Sequence, residues 1–213
     1  MNTRSVSLDL MEFVEKNILP RYNSFDRAHG IAHVTAVIRR SLEYAQLMGA
    51  DLDMAYIVAS YHDLGMEGPR AIHHLSSGRI LASDMRLQRW FSIEQIRIMR
   101  EAVEDHRASA SHAPRSIYGK IVAEADRDLK PENVFRRAVQ YGIANYPDFD
   151  REGQWKRFQE HMRAKYSEEG YIRLWLPHSP NAERLKRIRN IIQDNNLLRK
   201  FFDRFYDEEI ITV

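Results

Sequence analysis

The chain has 213 residues, 44% of them hydrophobic and 29% charged, a length and balance that suit one large globular domain, or one domain with an appendage, around a substantial core. A net charge of +2 argues for neither nucleic acid nor an anionic membrane as a partner, and the lack of cysteine excludes disulfides, thiolate zinc sites and a cysteine nucleophile. The start shows no basic segment followed by an apolar one, and no uncharged run is long enough to span a bilayer, so a cytoplasmic location is expected.

Ser7 caps a helix expected over residues 7–19, with Leu10, Met11, Val14, Ile18 and Leu19 on one face and Pro20 stopping it. Residues 22–27 are rich in turn formers and read as a loop. A second helix is expected from about Ala28 to Met48, before Gly49, with Ile31, Val34, Val37, Ile38, Leu42 and Ala45 at helical spacing and His29 and His33 one turn apart. Asp51 caps a third, whose apolar run through Ala59 ends at the pair His62-Asp63. Gly65, Gly68 and Pro69 break the pattern, and a fourth helix over about 70–85 carries His73, His74, Leu75, Ile80 and Leu81. Ser92 caps a fifth from Ile93 to His106. Pro114 falls in the first turn of a sixth, which reaches Asp126 after Ile121, Val122 and Ala125. Three more are expected at about 132–145, 150–169 and 181–206, bounded by Pro147 and by Pro177 and Pro180. With no strand pattern and no repeat, the reading is all-α.

Burying His62 and Asp63 side by side without partners would be costly. Helix neighbours lie about 100° apart, so the two cannot stack, but both can lean toward one cation in the groove beside them. His33, His62, Asp63, His73 or His74, His106 and Asp126 all fall near the ends, or on one face, of successive apolar helices, and a bundle lets such side chains converge. Imidazole and carboxylate donors without sulfur suit Mn, Fe, Co, Ni or Zn better than Mg.

The order His33…His62-Asp63…Asp126 resembles the HD-domain metal-dependent phosphohydrolase superfamily. Three segments carry the likeness: Asp26-Arg27-Ala28-His29-Gly30-Ile31-Ala32-His33, Tyr61-His62-Asp63-Leu64-Gly65, and Ile121-Val122-Ala123-Glu124-Ala125-Asp126. The resemblance implies an HD helical bundle over about residues 22–130; residues 131–213 are expected to form a helical extension packed on it in a single domain. It also implies that His33, His62, Asp63 and Asp126 bind one divalent metal. His74-Leu75-Ser76-Ser77-Gly78 and Ala102-Val103-Glu104-Asp105-His106 are similar to segments of dinuclear branches, HD-GYP and dinucleoside tetraphosphatase-like proteins among them. They imply a second ion held by His74 and His106 with Asp63 as the bridge; His73 could replace His74. The short interval from Asp63 to His74 departs from those branches, and the missing Gly-Tyr-Pro signature speaks against cyclic dinucleotide hydrolysis.

Glu67, four residues past Asp63, is an expected acid or base beside a metal-activated water. Lys120 stands where the tetraphosphatase-like proteins carry a basic residue, and His29 is expected to steady a ligand or face substrate. Arg70, Arg79, Arg107 and Arg115 flank the centre, though Arg70, Arg79 and Arg115 read better as solvated helix faces. His112, His161 and His178 read as surface residues, and the apolar stripes beyond residue 131 as core and lid packing. The implied activity is hydrolysis of a nucleotide or other small phosphate ester. A mixed-valent di-iron oxygenase and a non-catalytic regulatory module are the alternatives. The partner expected is a small phosphorylated substrate, with no membrane, nucleic acid disfavoured and homo-oligomers left open.

Overall fold

Every regular element among the described residues of the computed structural model is helical; these residues are 5–26, 29–108, 110, 112–176 and 179–211. The expected all-α class is thus what the chain adopts. The chain divides into two units, Met1–Asp126 and Arg127–Val213.

In the first unit the helices are α1 (Leu8–Asn17), α2 (Ile31–Met48), α3 (Leu52–Tyr61), α4 (His73–Ser83), α5 (Ile93–Glu104) and α6 (Ile117–Ala125). Every residue of α3 except Asp53 is buried. A helix apolar on all sides has to sit at the centre, and α1, α2, α4, α5 and α6 all pack against it. Fully burying a side chain such as Ile57 or Val58 stabilises by about 1.5–3 kcal/mol, so α3 anchors both the fold and the His62-Asp63 pair at its end.

Side chains set several helix starts. Asp51 accepts from the Met54 amide at 3.1 Å, Ser116 accepts from Gly119, and Ser92 with Gln95 closes a capping box before α5. Ser7 does not cap α1: its hydroxyl and amide both go to the Asp53 carboxylate, at 2.6 and 2.9 Å, and tie the start of α1 to α3. The helix expected from Ala28 begins at Ile31; Ala28 lies outside the described residues, and His29 precedes the helix while His33 rides on it. Leu19–Ser24 is a 3-10 turn with Pro20 near its start, where part of a loop was expected. Pro114 lies before α6, because the Ser116 side chain takes the capping position.

The second unit comprises α7 (Pro131–Asn145), α8 (Arg151–Tyr166), α9 (Pro180–Gln193) and α10 (Asn195–Ile211). Phe135, Phe158 and Phe202 lie at its core with Trp155, Ile188 and Phe205. The single helix expected over 181–206 is two. Asp194 leaves the helical region, at φ −94° and ψ 97°, and its carboxylate accepts from the amides of Asn196 and Leu197 at 3.0 Å each, capping α10 anew. His161 is half-buried, with its ring centroid 6.4 Å from that of Tyr166, rather than a surface residue; His112 is exposed; His178 and Pro177 lie outside the described residues. No helix among the described residues is long and apolar enough to cross a membrane.

Candidate metal centre

The chain leaves α3 at His62 and turns at Asp63, with φ −109° and ψ 5°. There the two Asp63 carboxylate oxygens face two different histidine pairs. Oδ2 lies 3.2 Å from His62 Nε2 and 3.5 Å from His33 Nε2; Oδ1 lies 3.5 Å from both His73 Nε2 and His106 Nε2. Within the pairs, the Nε2 atoms of His33 and His62 are 3.3 Å apart, and those of His73 and His106 3.1 Å. Asp126, at the end of α6, adds Oδ1 to the first group, 3.1 Å from His33 Nε2 and 3.8 Å from His62 Nε2. Residues from α2, α3, α4, α6 and the turn after α5 thus meet around one carboxylate.

Backbone carbonyls fix which ring nitrogen points inward. His62 Nδ1 is 2.8 Å from Ala59 O, His106 Nδ1 is 2.6 Å from Val103 O, and His73 Nδ1 is 2.8 Å from Arg70 O. A carbonyl only accepts, so each Nδ1 carries the proton and donates, leaving Nε2 as a lone pair in the neutral ring. At the end of α3 the His62 imidazole takes the place of a missing main-chain donor to Ala59 O, and at the end of α5 the His106 ring adds to the 3.4 Å bond that its own amide makes to Val103 O. The result is two sets of ring nitrogens and carboxylate oxygens converging so closely that positive charge, as protons on the imidazoles or as a metal ion, has to stand between them. His33, His62 and Asp63 form one group that could hold a metal ion, and Asp63, His73 and His106 a second. Nitrogen and oxygen donors of this kind fit a divalent transition metal.

The charges respond to this crowding. Burial would raise the Asp63 pKa, but the imidazoles of His62, His106 and His33 hold it well below the usual carboxylate range. Asp126 is likewise depressed, with burial outweighed by His33 and His62. Burial opposes a charge on His33, yet Asp126 and Asp63 carry its pKa up to about 9. Of the other pair, His73 is pushed down to about 4 by burial and by His106, while His106 is raised because Asp63 overcomes its burial.

The structure brings together His33, His62, Asp63, His106 and Asp126, and puts His73 where His74 was expected. His73 opens α4 and its Nδ1 turns back to Arg70 O; one residue on, about 100° of rotation swings His74 aside. His74 Nδ1 is buried without a hydrogen-bond partner. Glu67 is engaged elsewhere: Arg21 grips its carboxylate at 2.8 and 2.7 Å and lowers its pKa, so it stays ionised rather than serving as an acid near neutrality. Lys120 has no hydrogen bond or ion pair to the clustered residues. Six residues before Asp126 means about 240° of rotation and about 9 Å of rise, which points it away. Arg107 donates to Ala71 O at 2.8 Å, bracing the turn from which His73 emerges, and Arg115 pairs with Asp105 and Glu104. Arg70 and Arg79 are exposed. His29 donates from Nδ1 to Asp26 Oδ1 at 2.8 Å, with its ring centroid 6.1 Å from that of His33.

Gly65 explains the residue that follows the His-Asp-Leu run. A Cβ there would stand 2.0 Å from His73 O and 2.7 Å from the Ser77 amide nitrogen. Only glycine lets the chain after Asp63 touch the start of α4, where the Gly65 amide donates to Ser77 Oγ at 2.8 Å. Sequence reasoning missed Ser77, Tyr22 and Arg40. Arg40 donates to Ala125 O at 2.5 Å and steadies the end of α6 beside Asp126. Ser77 alone carried a signal, a small residue one turn after the histidines.

A family model described as the HD domain matches residues 30–129. No curated protein matches the chain. Among solved structures, the crystal structure of a predicted HD superfamily hydrolase from an uncultured Thermotogales bacterium is 22% identical, with 94% of this chain and 91% of that chain covered and a TM-score of 0.47. The stretch that matches the HD-domain model, residues 30–129, is the one that carries both histidine groups, Asp63 and Asp126.

Proposed function

We propose that the protein is a metal-dependent phosphohydrolase acting on a nucleotide or another small phosphate ester. The observation that carries this reading is Asp63, with one oxygen on the His33-His62 side and the other on the His73-His106 side. His33, His62, Asp63 and Asp126 would hold one ion, and Asp63, His73 and His106 a second. Such ions supply Lewis acidity, polarising a phosphoryl oxygen and making water a nucleophile near neutral pH. The chain's own residues do the rest. Asp126 and Asp63 supply the negative charge that holds the cations, and the Nδ1 bonds of His62, His73 and His106 keep each ring aimed. At the edge, His29 is fixed by Asp26, to which its Nδ1 donates, and its Nε2 accepts from the Arg70 guanidinium at 3.5 Å, which steadies that guanidinium beside the centre. The exposed Arg70 guanidinium suits the phosphoryl group itself.

The test is a panel of nucleotides and phosphomonoesters assayed with Mn, Fe, Co, Ni or Zn, with bound metal counted on the same sample. Metal-dependent release of phosphate is expected; inactivity with every metal refutes the reading. The double arrangement around Asp63 also suits a mixed-valent di-iron oxygenase. Oxygen consumption by the iron-loaded protein, with no phosphate release, would select that reaction instead.

A further inference from the structure

We propose that Tyr22 is the positioning residue that ends α3 and sets Asp63 between the two histidine pairs, an inference that rests on the metal-centre reading above. Were α3 to continue, Ser60 O would accept from the amide of residue 64, and the side chain of residue 63 would stand about 100° around the helix from His62. The Tyr22 phenol intervenes from 41 residues upstream. Wholly buried, it donates to Ser60 O at 2.9 Å, and its oxygen lies 3.4 Å from the Asp63 amide nitrogen, which donates to it. One hydroxyl thus replaces two main-chain partners where the helix has to stop. Asp63 then leaves the helical region, and the Met66 amide donates to Asp63 O at 2.9 Å to begin the 3-10 turn that leads to Gly65 and α4.

The segment bearing Tyr22 is held on both sides. Arg21 makes the two-pronged pair with Glu67, on the far side of Asp63 in sequence, and Phe25 packs edge-on against the Tyr22 ring with centroids 5.2 Å apart. Tyr22 contacts the backbone of Asp63 rather than its carboxylate, so it acts through Asp63 and not on substrate.

Tyr22→Phe keeps the ring and deletes the hydroxyl. Tyr61→Phe is the matched control, since Tyr61 is also buried and its hydroxyl donates to Asp84 Oδ2 at 2.8 Å, away from the centre. Wild type and both variants are stripped with chelator and titrated calorimetrically with manganese(II) alone and zinc(II) alone, with melting temperatures and steady-state kinetics alongside. Both variants should melt a few degrees lower. Only Tyr22→Phe should weaken metal binding, by about 10- to 100-fold as for other groups that orient ligands, and lower kcat with KM near the wild-type value. Wild-type affinity in Tyr22→Phe overturns the inference, as does equal weakening in Tyr61→Phe. If Tyr22→Phe does not fold, Arg21→Met releases the same segment from Glu67 and must weaken binding several-fold; full affinity there overturns it equally. A wild-type chain that binds neither ion overturns the metal-centre reading, and this inference with it, without reference to any variant.

Discussion

Asp63 is nearly buried, ionised, and faced by four imidazoles, so its charge rather than its shape is what the centre depends on. Asp63→Asn preserves the shape and removes the charge; metal retention and phosphoesterase turnover should be lost together, read by elemental analysis and phosphate release. The adjacent histidines separate by the same logic. His73→Ala should reduce the metal-to-protein ratio, because it deletes a lone pair beside Asp63 Oδ1 and His106, while His74→Ala should leave that ratio unchanged. The sequence carried His33, His62, Asp63, His106 and Asp126 as a spaced pattern, because each rides on, or ends, an apolar helix whose period is visible. It could not separate His73 from His74, since that choice depends on which residue starts α4 and on an Nδ1 bond to Arg70 O. Tyr22 was illegible: it lies in a turn-rich segment, and its role consists of contacts 38 and 41 residues away.

Among the elements, the 3-10 turn after Asp63 and the start of α4 are packed too closely for any side chain at position 65. Gly65→Ala should force them apart, destabilising by about 3 kcal/mol in denaturant unfolding, at the upper end for overpacked sites. Because the same shift moves His73, the variant should also lose whatever metal that pair retains. Helix existence was readable from periodicity, and the Asp51 and Ser92 caps from residue type. The break at Asp194 was not, because the apolar stripe runs on through it: Leu185, Ile188 and Ile191 before, Leu198, Phe202 and Phe205 after, all buried. A stripe records which face is inward, not whether the backbone is continuous. Ser7 failed as a cap for a comparable reason, since Asp53, which it binds, lies 46 residues away.

At the scale of the whole molecule, two agents should act on stability through different groups. Because the candidate ligands arrive from α2, α3, α4, α6 and the turn after α5, a bound metal would clamp the first unit. A ligand at a hundred times its Kd adds about 2.7 kcal/mol, so chelation should lower the melting temperature reversibly, and re-added metal should restore it. The second agent is pH, acting through His161 in the second unit. Burial, aided by Lys165 and Arg157, pushes its pKa down to about 4 from 6.5. The unfolded chain therefore binds the extra proton first as pH falls. The contribution of a neutral His161 is complete above pH 6.5 and is lost progressively as pH drops from 6.5 toward 4. At about 1.4 kcal/mol per pKa unit, reduced for the partial exposure of the ring, the loss amounts to about 2 kcal/mol. His161→Gln cannot take up that proton, so denaturant unfolding at pH 7 and pH 4.5 should show a smaller difference for the variant than for wild type by about that amount. Equal differences in the two proteins would mean that His161 is solvated in the native state and that the acid sensitivity arises elsewhere.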